Sequence, residues 1–291
     1  MASKVRLVDW LRQERDQHVG GGLYYNTQIL FAYNSNHMEG STLSPEQTAQ
    51  LYDTGALLPH DSDDEIRADD VVETRNHFRT FNWILDHVDD PVDKDMVCDL
   101  HTMLKRGTSQ ELGPNRNVGG YKVLPNVISE ILEVHTAPPQ DVPAAMEHVF
   151  ELYRTLKDDP FLIANAHWMF ETTHPFSDGN GRIGRLVIFK ELLRLDSVPV
   201  IIHDSRKNFY VRGLDRFPDE PGYLIDTLLS ERDTYQSMME RLAPGRISYS
   251  YVSEWNRSEV EDRIRRTPIS NPYVKQNWTD ADIRGESGRK Q

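Results

Sequence analysis

A mainly α-helical fold is predicted for this chain of 291 residues by three observations. Nine segments carry apolar residues at helical spacing or the start signals of a helix. The stretch 117–128 has Gly and Asn punctuation around short β-branched runs, as in a single hairpin. A hydrophobic content of 38 % permits a sizeable core, and no run approaches a membrane span.

In chain order the expected helices are Val5 to Asp16, Thr27 to Met38, Pro45 to Leu51, Val71 to His87, Lys94 to Lys105, Ala144 to Leu156, Phe161 to Thr172, Arg182 to Leu195 and Gly222 to Leu242. Tyr24 to Tyr33 suits an amphipathic helix that Gly40 would stop. The acidic run Asp61 to Glu65 is expected to cap the long helix around Val72 to His87, because carboxylates favour a helix N-terminus. Cys98, the single cysteine, falls within Met96 to Leu104, which reads as a buried helix, so a core role is preferred to a reactive thiol. Beyond about Pro244 the sequence turns polar, and a C-terminal helix with a weakly ordered tail is expected over 244–291.

Chemistry concentrates between His174 and Arg185, a joint between two apolar helices. Pro175 forbids continuation of the first helix and presents the His174 imidazole at its end. Gly179 and Gly181 allow positive φ and leave no side chain between backbone and ligand, so the N–H groups around Asn180 can form a nest for anionic oxygens. That nest opens into the next helix, whose N-terminus also favours phosphate. Arg182 and Arg185, three apart, can grip successive phosphates. Asp178 makes sense in such a loop if it holds a divalent metal. Neutral imidazole, with an ordinary pKa of about 6.5, can accept a proton from an attacking hydroxyl. No Gly-x-x-x-x-Gly-Lys-Ser/Thr is present, so this is not a Walker-type loop.

His174-Pro-Phe-Ser-Asp-Gly-Asn-Gly-Arg-Ile-Gly-Arg185 resembles, without departure, the signature of Fic domain proteins, His-Pro-Phe-x-Asp-Gly-Asn-Gly-Arg-x-x-Arg. The resemblance implies a Fic-type helical bundle with a short β-hairpin flap beside the helix-loop-helix, and transfer of AMP from ATP to a hydroxyl side chain of a target protein. On that resemblance His174 would deprotonate the hydroxyl and Asp178 would hold Mg²⁺. Phe176, Gly179, Asn180 and Gly181 would shape the nucleotide site, Arg182 would stabilise phosphate charge, and Arg185 would contact the γ-phosphate. Ser35-Asn-His-Met-Glu39-Gly40 is similar to the family's inhibitory motif, Ser/Thr-x-x-x-Glu-Gly/Asn, whose glutamate would bond Arg185 in place of the γ-phosphate. The stretch 117–128 resembles the flap that holds the target by strand addition, with Gly120, Tyr121, Lys122, Val123 and Val127 expected to dock it.

The expected organisation is a catalytic domain over 1–243, containing the inhibitory helix at about 24–40 and the flap at about 117–128, followed by the extension 244–291. The expected partners are ATP and a hydroxyl-bearing protein, the chain itself included; the oligomeric state stays open, a homodimer among the options. A net charge of −13 opposes nucleic-acid binding. One cysteine and the lack of a basic-then-apolar leader suit the cytoplasm, or export without a cleavable signal. Family members also remove AMP or transfer other phosphate-containing groups, and a non-catalytic nucleotide-binding module held shut by Glu39 is a further alternative. One rival class is a metallohydrolase: His167, Glu171, His174 and Asp178 would share a face on a continuous helix, a face that Pro175 interrupts.

Overall fold

Capping chemistry sets several helix boundaries. Ser44 accepts from Gln47 N while the Gln47 side chain accepts from Ser44 N, a reciprocal box that starts a helix at Pro45. Asp93 and Asp159 start two more by accepting from Met96 N and Leu162 N. The computed structural model describes residues 4–57, 65–129 and 134–274. Its helices are α1 (Leu7–Asp16), α2 (Leu23–Met38), α3 (Pro45–Thr54), α4 (Ala68–Asp86), α5 (Lys94–Lys105), α6 (Val142–Arg154), α7 (Pro160–Thr173), α8 (Asn180–Arg194), α9 (Lys207–Arg216), α10 (Gly222–Leu242) and α11 (Arg257–Arg266). The mainly α class is therefore correct.

α7 and α8 are buried on nearly every side and form the centre, α8 with its buried charges paired inside the protein. Phe189 of α8 meets Phe31 of α2 at 5.0 Å, Phe81 of α4 at 5.5 Å and Tyr235 of α10 at 5.8 Å between ring centroids. This aromatic cluster locks α2 beside the motif helix. The N-terminal segment is therefore part of the core, and its last turn is delivered to the N-terminal end of α8.

Strand structure is slight. β1 (Val5–Arg6) pairs in parallel with β4 (Ile247–Ser248), and β2 (Val127–Ser129) pairs antiparallel with β3 (Val134–His135). The hairpin thus begins where the sequence places its end. Residues 117–126 form turns instead, because Asn117 and Gly119 adopt positive φ of 45° and 85°. Residues 244–274 pack on the helices: Ser250 N donates to Asp196 O at 2.8 Å, and Asn271 Nδ2 donates to Thr172 and Thr173 Oγ1, both at 3.1 Å, at the end of α7. Residues 275–291 lie outside the described residues.

An expected boundary shifts and one helix is added. α2 begins four residues earlier than Thr27, at Leu23, after Gly22. α9 was not anticipated. Asp61 to Asp64 lie outside the described residues, and the acids in the first turn of α4 are Asp69 and Asp70. Asp70 accepts from Thr42 N at 2.8 Å and pairs with Arg67 at 2.9 Å, so it ties α4 to the segment after α2. Cys98 is half-buried beside the core, and burial pushes its thiol pKa up.

Candidate active site

The joint between α7 and α8 is built by its own punctuation. His174 caps α7 in the left-handed region, φ 52° and ψ 61°, its N–H still bonded to Phe170 O at 3.1 Å, and Pro175 prevents another turn. His174 Nδ1 lies 3.3 Å from Glu171 O. A carbonyl can only accept, so Nδ1 carries the proton and Nε2 keeps its lone pair. Burial, reinforced by the nearby Lys122 ammonium, lowers the His174 pKa to about 4. The imidazole is therefore neutral across the physiological range.

Gly179 takes φ +80° and turns the chain into α8. The first intrahelical bond runs from Ile183 N to Gly179 O at 3.0 Å, so the N–H groups of Asn180, Gly181 and Arg182 precede it and have no intrahelical acceptor. Gly181 is helical rather than left-handed; what it supplies is closeness. A Cβ there would stand 2.5 Å from Glu39 Oε1 and 2.7 Å from Arg185 Nη1. Asn180 is committed to the loop itself: its side chain accepts from Phe176 N at 2.7 Å and donates to Phe176 O at 2.8 Å, leaving its backbone for a ligand. Phe176 is fully buried against His101, 4.2 Å between ring centroids, so its side chain is packing and not a nucleotide contact.

The two arginines already have internal partners. Arg185 Nη2 donates to Glu39 Oε1 at 2.7 Å and to Ser35 O at 2.9 Å, and its Nε donates to Ser35 Oγ at 3.0 Å. Glu39 is the C-cap of α2 and Gly40 follows with φ +89°. The structure brings Ser35, Glu39 and Arg185 together as the sequence suggests. Burial would raise the Glu39 pKa, but Arg185 and Arg182 outweigh it and hold the carboxylate below its ordinary range.

Arg182 pairs with Glu73 of α4 and lies 3.4 Å from Asp178. Lys105, the wholly buried last residue of α5, is ion-paired with both Glu73 and Asp178. Burial alone would raise the Asp178 pKa; Lys105 and Arg182 reverse that and keep it well below the usual carboxylate range. An ionised carboxylate of this kind suits a hard divalent cation, and Glu73 supplies a second oxygen donor set beside it. Glu39, Glu73, Asp178 and Arg182 line a cavity of about 600 Å³, room for a nucleotide's phosphates.

Sequence reasoning missed Glu73, Lys105 and Tyr210. Lys105 follows Val97 and His101 at fourfold spacing on the buried face of α5, a position where a lysine requires a partner. Tyr210 of α9 meets His167 Nε2 at 2.7 Å. With His167 so held and His174 off the helix, the face proposed for a metallohydrolase is not assembled. Glu171 sits behind Arg185, and burial raises its pKa to about 7.

The segment 117–126 is pinned to the motif: Lys122 N donates to Pro175 O at 2.8 Å, and Asn126 Nδ2 to Phe176 O at 3.0 Å. Lys122 itself is buried, donating to Asn126 Oδ1 and Thr136 Oγ1, both at 2.6 Å, and so supports the segment from beneath instead of docking a partner. Val123 and Leu124 are the exposed apolar positions. Gly120 lies in the turn and Tyr121 is half-buried; Val127 opens β2, and its side chain lies outside what is described.

Residues 91–192 match the Fic/DOC family model. Those residues form a Fic domain. Curated relatives include the protein adenylyltransferase fic-1 of Caenorhabditis elegans, 27 % identical over 194 residues, and the protein adenylyltransferase Fic of Nematostella vectensis, 26 % identical over 190; each match takes in 63 % of this chain. These matches span only 35 % and 42 % of the relatives' own lengths. The Fic fold is shared with a Fic domain-containing signaling protein from Bacteroides thetaiotaomicron, at a TM-score of 0.63 and 22 % identity over 86 % of this chain and 99 % of that one. A Fic family protein from Desulfovibrio desulfuricans aligns at 0.59 and 20 % identity, over 98 % of this chain and 82 % of its own.

Proposed function

We propose that this chain is an autoinhibited protein adenylyltransferase, moving AMP from MgATP to a Ser, Thr or Tyr hydroxyl of a target protein and of itself. The observation that carries the reading is His174: neutral, with Nε2 unprotonated, at the rim of an anion nest that opens onto α8. The relatives named protein adenylyltransferases support the same class.

In this reading Nε2 accepts the proton as the target oxygen bonds the α-phosphorus, and the bond from that phosphorus to the bridging oxygen breaks, releasing pyrophosphate. The backbone N–H groups of Asn180 and Gly181 bind phosphate oxygens, and Arg182 balances their charge. Asp178, with Glu73 beside it, would hold Mg²⁺, which when bound neutralises phosphate charge. The exposed edge at Val123 and Leu124 would take the target backbone by strand addition, so that the hydroxyl is aligned with little demand on target sequence. Glu39 is the brake: while it holds Arg185, the γ-phosphate lacks its guanidinium and ATP lies unproductively. A catalytic domain over 1–243 with a packed extension after it, and a cytoplasmic setting suited to the single cysteine, complete the reading. No described helix is long and apolar enough to cross a membrane.

Parallel incubations with ATP labelled at the α- or the γ-phosphate test the reaction. The α-label should reach protein while the γ-label leaves as pyrophosphate. Transfer of γ-label alone would make the chain a phosphotransferase and overturn the assignment.

A further inference from the structure

Lys105 is an unusual occupant of this site. Its side chain has no exposed surface, and its ammonium stands between Asp178 and Glu73. Arg182 closes the group from the other side, contacting the same two carboxylates. Two anions face two cations, so the cluster is balanced without any added ion. Gly179 lets the lysine stem pass, for a Cβ there would sit 3.2 Å from Lys105 Cε.

A bare divalent ion arriving at Asp178 would put two further positive charges into a cluster that is already balanced, beside a buried ammonium, where repulsion is poorly screened. A nucleotide polyphosphate in the nest changes that balance by bringing several negative charges. We propose that Lys105 is the resident cation of the Asp178 site, taking the place a divalent ion would otherwise claim, so that this chain binds the metal only together with a nucleotide polyphosphate. The inference rests on the reading of Asp178 as the metal ligand. It adds that the metal is not a standing component of the site and that α5 supplies its substitute.

The test is direct metal binding to the full chain, followed by the loss of the free Mn²⁺ electron paramagnetic resonance signal. Without nucleotide, the native chain should bind Mn²⁺ at least about tenfold more weakly than Lys105→Met, in which Glu73 and Asp178 have lost a positive partner. Adding Asp178→Asn to Lys105→Met should abolish the gain, and a non-hydrolysable ATP analogue should restore binding to the native chain. If Lys105→Met binds no more tightly than native while Asp178→Asn removes the binding of both, Asp178 is the ligand and the resident-cation inference fails. If Asp178→Asn changes nothing in either, the metal reading fails and takes the inference with it. Because Lys105→Met could misfold, the native chain supplies a second measurement. The ¹⁵N signal of the buried Lys105 ammonium should stay in place through a MgCl₂ titration and move when the analogue is added. Movement on MgCl₂ alone would overturn the proposal.

Discussion

Arg182 and Arg185 stand three residues apart on one helix, both nearly buried, and yet they are held by opposite means. Arg182 is gripped by Glu73, a residue inside the packed helix α4, within a balanced group that includes Lys105 and Asp178. Arg185 is gripped by Glu39, the cap at the end of α2, whose side chain keeps 32 % of its surface exposed. A carboxylate within a packed helix has fewer ways to withdraw than one on a terminal cap, which can leave by a small local opening. On the proposed reading, two arginines that look equivalent in the motif are a fixed post and a releasable one. Glu39 occupies the second.

The contrast can be broken at several points. The largest effect is expected from His174→Ala, which removes the base both arginines are proposed to serve. Adenylyl transfer should fall by about 10²- to 10⁴-fold while ATP affinity by calorimetry stays within about threefold. Undiminished transfer would leave the arginines without a reaction to serve. Next is stability. Glu73→Ala leaves two buried cations facing one carboxylate and should cost about 3–5 kcal/mol in chemical denaturation. Glu39→Ala should cost no more than about 2 kcal/mol, since Arg185 keeps both Ser35 acceptors. Equal losses would erase the distinction between post and gate.

Ser35→Ala is a smaller test of the gate. Deleting the acceptor of Arg185 Nε weakens the closed state by about 1 kcal/mol and should raise basal transfer about fivefold. A fall in transfer would mean that Ser35 serves the open state instead. The mildest signature is the pH profile. A base must be neutral to act, and His174 protonates only as pH falls toward about 4, so kcat/KM should be level from pH 8 to 6 and decline on the acid side well below the ordinary histidine value. An acid limb centred near pH 6.5 would contradict the buried, Lys122-flanked imidazole.

The legibility of the sequence divides along similar lines. α5 and α10 begin and end where the sequence places them, since apolar spacing and end signals agree there. The motif could also be read, because each residue type there has a local chemical reason to be where it is, whereas its pairing with Ser35 and Glu39 came only through the resemblance to the Fic family's inhibitory motif. Hidden were the contacts that only tertiary packing makes. α9 is obscured by Gly213, which resembles a breaker but is there for contact: a Cβ would stand 2.9 Å from Leu224 Cα of α10. β1 and β4 are two-residue strands from opposite ends of the chain, too short to carry a period. Glu73 and Lys105 are single charges on unremarkable helices, and neither names its partner. The hairpin was recognised in kind and misplaced in register, since positive φ at Asn117 is not something a side chain announces.

The central claim, that Glu39 gates Arg185, is tested most directly by the rate of AMP transfer from α-labelled ATP at saturating ATP and Mg²⁺, with Glu39→Gly set beside Glu39→Gly/Arg185→Ala. Moving from a ~1 % to a ~50 % competent population requires only about 2.7 kcal/mol of lost closed-state preference, so the single variant should gain about fiftyfold and the double variant should lose that gain. A single variant that transfers AMP at the native rate would mean that the 2.7 Å contact between Glu39 and Arg185 is structural and that the chain has no brake.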